Sequence, residues 1–187
     1  MTSLDSRDDA RHFVSNCKDQ TMKLWDVRAM ATRADARARL RARPLPVWNW
    51  DYRYMRYPER GWHFRHPDDV SLQTYRGHRV EMTLIRAYFS PAATTGQRYV
   101  YAGGAGGKVL VWDVLTGEIV SDKGIVSDNN NVSEESDGRR RGARTIRDCS
   151  WHPTLPLLAS VNFAGEVRTT RSLMVGGGAE DDGDGGR

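Results

Sequence analysis

The chain has 187 residues, a formal net charge of +4 and 39% apolar residues including six Trp and seven Tyr, which suits one domain with a packed core and excludes disorder throughout. No window approaches the roughly 18 uninterrupted apolar residues of a membrane helix, and the opening MTSLDSRDDAR has no apolar stretch of the secretory kind. A soluble intracellular protein, in the nucleus or the cytoplasm, is therefore expected.

In chain order, an opening strand is expected close to Met1. Then "HFVSNCKDQTMKLWDV" (12–27) reads as strand, polar corner at Lys18-Asp19-Gln20, and strand ending at Trp25-Asp26. An insertion, 29–70, follows. Its first part, "AMATRADARARLRAR", is Ala-rich and stops at Pro44 and Pro46, which predicts a helix over about 30–42. Its second part, "VWNWDYRYMRYPERGWHF", interleaves aromatics with Arg53, Arg56, Arg60 and Arg65. Residues 29–65 hold nine Arg against Asp35, Asp51 and Glu59, so the basicity of the chain belongs to this segment and the remainder is net negative. Such interleaving suits single-stranded RNA. The favoured reading packs the aromatics against the β-domain under Arg cover, with no nucleic-acid partner.

"SLQTYR" (71–76) is read as a fourth strand and "GHRVEMTLIRAYFSP" (77–91) as an alternating run leading into a second hairpin, "YVYAGGAGGKVLVWDV" (99–114), with its corner at Gly106-Gly107. "GEIVSD" (117–122) supplies another fourth strand. The loop 122–144 and the Gly- and Asp-rich tail 172–187 have the composition of disordered segments. Between them lie "ARTIRDCSWHP" (143–153) and a third hairpin, "LLASVNFAGEVRTTRS" (157–172), turning at Ala164-Gly165.

Self-comparison is decisive. When Ser15, Ala102 and Ser160 are superposed, Trp25, Trp112 and Thr170 each fall ten places later. Four short strands per unit, Gly-His ahead of the first and Trp-Asp after the third, are the marks of a WD-repeat propeller blade. The expected fold is all-β: a partial WD-repeat β-propeller of about three four-stranded blades over 1–171, with an Arg-rich, partly helical insertion. A hydrogen-bond relay is expected from the third-strand Trp to a second-strand Ser, on to the Gly-His imidazole, and on to an Asp in the corner. Ser15, Asp19 and Trp25 fill those places in the first unit. The second keeps His78 and Trp112, and the third keeps Ser160. Since the relay is eroded, apolar packing must carry the blades, through Leu24, Ile85, Phe89, Tyr99, Tyr101, Leu110, Ile146, Trp151, Leu158 and Val167. Propellers close with about four to eight blades, so a fragment, a shortened product or a propeller completed by another chain is expected.

Catalytic and metal sites find no support. "GGAGGK" (103–108) lacks the first Gly of a phosphate loop, since position 102 is Ala, and Val109 stands where the metal-binding hydroxyl belongs. His63, His66, His78 and His152 have no ligand spacing. Cys17 and Cys149 lie 132 positions apart with no C-x-x-C pattern and read as free thiols. No cofactor is expected.

The words "DARHFVSNCKDQTMKLWDVR", "NWDYR", "SLQTYRGH", "TLIRAYFSP", "TGQRYVYAGGAGGKVLVWDVLTGEIV" and "RDCSWHP" resemble the carboxy-terminal blades of the WD-repeat receptors called cullin-four associated factor eleven, plant relatives included, over about 5–28 and 47–170. The resemblance implies a non-catalytic substrate receptor of a cullin-four RING ubiquitin ligase. Such a receptor docks on the damaged-DNA-binding adaptor and presents client proteins for ubiquitination and degradation. It implies docking through Trp-Asp-x-Arg, here Trp25, Asp26, Val27 and Arg28, with Asp19 and Lys23 shaping the contact. In the second unit Leu115 replaces the Arg. The third departs further, with Thr169-Thr170-Arg171 in place of an apolar residue and Trp. A WD-repeat scaffold with no ligase link is the alternative.

Overall fold

The computed structural model describes residues 1–45, 49–61, 64–81, 83–121 and 144–171. Three antiparallel sheets follow one another along the chain. The first contains β1 (Ser3–Ser6), β2 (His12–Asn16), β3 (Met22–Asp26) and β4 (Gln73–Tyr75) in the order β1-β2-β3-β4. The second contains β5 (Ala87–Phe89), β6 (Tyr99–Gly103), β7 (Val109–Asp113) and β8 (Ile119–Ser121) in the order β5-β6-β7-β8. The third contains β9 (Ile146–Trp151), β10 (Leu157–Asn162) and β11 (Val167–Arg171), with β10 in the middle. These are three consecutive WD-repeat propeller blades, the all-β architecture expected; the place of a fourth strand in the third blade lies outside the described residues. No described helix is long and apolar enough to cross a membrane.

The superposition made on sequence is also the hydrogen-bond register. Ser15 faces Lys23, Ala102 faces Leu110 and Ser160 faces Arg168, so each reference residue pairs with the one eight places on. Each corner turns through one left-handed residue five places after the reference: Gln20 (φ 66°), Gly107 (φ 75°) and Gly165 (φ 81°). Glycine adopts that conformation without cost, whereas Gln20 needs support. It receives it from Val80, whose N–H donates to Gln20 Oε1 at 2.9 Å and whose carbonyl accepts from Gln20 Nε2 at 2.8 Å.

Those two bonds also hold down the segment before β5. The alternating run 77–91 was expected as a strand, but only Ala87–Phe89 is one. The stretch ahead of it is irregular and still buries His78, Val80 and Ile85, because its side chains wedge between blades rather than pairing along a ladder.

The blades stack through their first strands. The Ala87 N–H donates to Ser3 Oγ at 3.1 Å and the Phe89 N–H to Asp5 Oδ2 at 2.8 Å, tying β5 to β1. One blade further, the Arg86 N–H donates to the Arg147 carbonyl at 3.2 Å and the Tyr88 hydroxyl to Asp148 Oδ1 at 2.8 Å. Between the first and second blades lies a core of Val14, Met22, Leu24, Tyr75, Phe89, Val100, Leu110 and Trp112. Between the second and third lies another, of Tyr101, Val109, Val111, Ile146, Cys149, Trp151 and Leu158. The middle blade feeds both. Along β7 every residue is buried, with Leu110 and Trp112 turned one way and Val109 and Val111 the other, which is why VLVW is an unbroken apolar run.

Two core expectations need correction. Val167 is 72% exposed because, among the described residues, β11 lies at the sheet edge with no blade over that face, and Tyr99 is only half-buried. The insertion folds as predicted at its start: α1 (Arg33–Ala42) is capped by Thr32, whose hydroxyl accepts from the Asp35 N–H at 3.2 Å, and it ends two residues before Pro44. It buries no residue. Cys17 and Cys149 are free thiols, as read from their spacing, and burial pushes the Cys149 thiol up from its ordinary pKa. Cys17 lies just past β2 rather than within a strand.

The Gly-rich corner has a packing reason. A Cβ on Gly103 would stand 2.4 Å from the Ile146 carbonyl oxygen, where the second and third blades meet backbone to backbone. Gly103→Ala is expected to destabilise the protein by about 1–3 kcal/mol, in the range of core overpacking, read as a lower urea midpoint by circular dichroism.

Candidate docking site

At the end of β3 the chain leaves the sheet through a 3-10 turn, Val27–Ala29, for which Asp26 is the cap. The Arg28 N–H donates to Asp26 Oδ1 at 2.9 Å. The other carboxylate oxygen, Oδ2, accepts from Arg11 Nε at 2.9 Å and Arg11 Nη2 at 2.6 Å. Those bonds from Arg11 first, and then from the Arg28 backbone, lower the Asp26 pKa to about 2. Asp26 is buried; its side chain serves the fold. The Arg28 side chain does the opposite: it is exposed, and its guanidinium has no partner among the described residues.

The same construction recurs in the second blade. Asp113 accepts from Arg98 Nε at 2.8 Å through Oδ2 and from the Leu115 N–H at 2.9 Å through Oδ1. Burial works against the charge on Asp113, but the Arg98 and backbone hydrogen bonds hold its carboxyl below the ordinary range. Arg11 and Arg98 each stand four places before the reference residue, and Asp26 and Asp113 eleven places after it. This Arg–Asp clamp was not read from the sequence, although RHFVS…WD and RYVYA…WD carry it. The residue just after the clamp, Arg28 in one blade and Leu115 in the next, points outward, and Leu115 is 83% exposed. Val27, Met30 and Leu72 are exposed at the same end of the blades, with Leu72 held to Leu24 by a backbone bond of 2.8 Å and its neighbour Gln73 donating to the Leu115 carbonyl at 3.3 Å.

The other predicted residues fall as follows. Trp25 Nε1 donates to Ser15 Oγ at 2.8 Å, the first step of the expected relay. Trp25 lies diagonally across the hairpin from Ser15 on the same face, as pleated strands allow. From there the relay does not run as expected. His78 Nε2 is 2.7 Å from Asn16 Oδ1, not bonded to Ser15. Asp19 accepts from the Thr21 hydroxyl at 2.7 Å and the Thr21 N–H at 3.1 Å, bracing the corner instead of meeting the imidazole. His78 therefore joins the second blade to the first, with its ring edge-on to Trp112 at 5.4 Å. With Ala102 in place of Ser, the Trp112 indole donates to the Arg76 carbonyl at 2.8 Å. Ser160 is buried, and across the hairpin Thr170, in the Trp place, donates to the Leu158 carbonyl at 3.4 Å rather than to Ser160. Lys23 pairs with the buried carboxylate of Asp69 at 2.7 Å and lies over the Trp25 ring. Asn16 was missed because a strand-end Asn has no distinctive pattern.

His66 Nδ1 accepts from the Asp68 N–H, and His152 Nδ1 from the N–H groups of Thr154 and Leu155, so both brace turns. His63 lies outside the described residues, as do the loop 122–143 and the tail from 172. Among the described residues no three metal-ligating side chains cluster.

Repeated four-stranded blades with Trp-Asp closing the third strand define a WD-repeat protein, and the WD domain, G-beta repeat model matches residues 1–26. The chain is 42% identical to the LEC14B protein of Lithospermum erythrorhizon and 43% identical to its homologue in Prunus armeniaca, in each case over 89% of this chain and 31% of the relative. It is 38% identical, over 82% of this chain and 24% of the relative, to a protein of Caenorhabditis elegans named DDB1- and CUL4-associated factor 11 homolog. The chain carries WD-repeat blades similar to those of these relatives, and it spans about a third or less of their length.

Proposed function

We propose that these blades belong to a non-catalytic substrate receptor of a cullin-four RING ubiquitin ligase, in nucleus or cytoplasm, that docks on the ligase adaptor and presents a client for ubiquitination. The observation carrying this reading is Arg28: an exposed strand-end guanidinium with no partner among the described residues, its backbone held by the buried cap Asp26, with Val27, Met30, Leu72 and Leu115 exposed at the same end of the blades. An exposed arginine fork on a surface that also presents apolar side chains suits an interface hot spot. The names of the Caenorhabditis relatives agree with it. Trp25 and Asp26 position the Arg; Asp19 and Lys23, bonded to Thr21 and Asp69, shape the hairpin beside it.

Arg28→Ala is expected to abolish co-purification of the adaptor from cell extract, a loss of about 2 kcal/mol or more, while the β-rich circular dichroism spectrum stays unchanged. Adaptor retained at wild-type level would assign Arg28 to solvent and leave a WD-repeat scaffold with no ligase link.

A further inference from the structure

The insertion departs from its expected packing in a way that gives it a function of its own. Trp50 and Tyr57 pack as sheltered aromatics do: their rings meet edge to face at 5.0 Å, and burial raises the pKa of the Tyr57 phenol, as do the nearby Asp19 and Cys17. Tyr52 is 60% exposed and Tyr54 75% exposed. Arg53, between them in the chain, is bonded through Nε and Nη2 to Asp51 at 3.0 and 2.7 Å, with its guanidinium 5.2 Å from the centre of the Tyr54 ring, while Lys18 Nζ lies 5.4 Å from that of Tyr52. In α1, Arg33, Arg37 and Arg41 recur every fourth residue and so form one stripe. All three are exposed and have no partner among the described residues. Arg39, off that stripe, anchors the helix to Asp68 at 3.0 Å.

Both parts of the insertion are fastened to the flank of the first blade. Lys18 donates to the Tyr52 carbonyl at 2.7 Å at the hairpin corner, and Lys23 binds Asp69, the neighbour of the α1 anchor, further along it. We propose that this flank binds single-stranded nucleic acid, with Arg33, Arg37 and Arg41 on successive phosphates and Tyr52 and Tyr54 as stacking faces for bases. Beside the Arg stripe the helix presents alanines and Leu40 as its apolar side chains, a small apolar surface that favours a charged ligand over a hydrophobic groove or a bilayer. The charge is carried by arginine, whose planar fork matches phosphate, and the two exposed rings give bases a surface that an acidic peptide would not use.

The test is fluorescence anisotropy of a labelled polyuridine of about twelve nucleotides with the full chain, over about 50–200 mM salt. Wild-type binding is expected to weaken steeply with salt. R33A/R37A/R41A should weaken it at least ten-fold at low salt and lower the slope of log affinity against log salt by about two, at roughly 0.7 per phosphate on a single strand. Y52A and Y54A should each weaken it about five-fold or more with the slope kept. Arg28→Ala should leave it unchanged, which separates this surface from the docking edge. Because α1 buries nothing, its Ala variants should keep the wild-type circular dichroism spectrum; R33Q/R37Q/R41Q provides a second version of the same charge removal. Absence of binding at low salt, or a slope untouched by both triple variants, overturns the proposal. So does polyglutamate competing as well as RNA while Y52A and Y54A bind like wild type, which would make the flank an acidic-protein surface.

Discussion

Trp112→Ala should lower stability by about 3–5 kcal/mol, a large share of the roughly 5–15 kcal/mol that holds a domain folded. The indole is fully buried between the first and second blades, against Tyr75 and His78, and its N–H satisfies the Arg76 carbonyl. Truncation removes the largest side chain of that core and leaves the carbonyl without its indole donor. Urea unfolding followed by circular dichroism should show a much lower midpoint. Trp112→Phe keeps an aromatic ring but loses this part-buried hydrogen bond, and should cost about 0.5–1.5 kcal/mol for the bond, well below the cost of Trp112→Ala. Equal midpoints for Trp112→Ala and the wild type would mean that the blades do not depend on packing against each other.

The second large effect is in pH. Burial lowers the His78 pKa to about 4, with the charge of Asp19 opposing the shift. Asn16 Oδ1 only accepts, so Nε2 carries the proton, and Nδ1 is left buried with no hydrogen-bond partner among the described residues. Protonating Nδ1 would create a charge with nowhere to donate. The unfolded chain takes up that proton near pH 6.5 and the folded chain only near pH 4. The contribution of neutral His78 is therefore fully present above about 6.5 and lost as pH falls towards about 4, at about 1.4 kcal/mol per pH unit and about 3 kcal/mol in all. His78→Gln should flatten this part of the profile, so wild type and variant should converge in stability between pH 7 and pH 5. The Asp26 clamp has a different window: its folded pKa is lowered, so its contribution is present above the ordinary carboxylate range and lost only as pH falls through about 2. Parallel profiles for wild type and His78→Gln would place the imidazole in contact with water.

The hairpin register was legible because a turn and two alternating strands are local: ten residues from Ser15 to Trp25 specify the pairing without reference to anything else. The Trp25–Ser15 bond was legible for the same reason. The rest of the relay was not, because His78 reaches its site from beyond a long insertion and meets Asn16 of the neighbouring blade, and no spacing rule fixes a contact between blades. The Arg–Asp clamps escaped notice because each signal is a single Arg, set fifteen residues from its Asp. Val167 was misplaced because alternation marks which residues share a face but not whether another sheet covers it. The insertion was legible where capping and proline govern it, at α1, and illegible where exposure depends on what lies against the rings.

Asp26 and Asp113 are tied to the fold by an arginine four places before the reference residue and by the backbone two places on, and neither tie involves the side chain at 28 or 115. A substitution at either place leaves the architecture intact while changing what the surface offers, arginine in one blade and leucine in the next. On the docking role proposed for Arg28, partner choice can drift at these positions on its own, which makes them the natural places to retarget the protein by single-residue engineering.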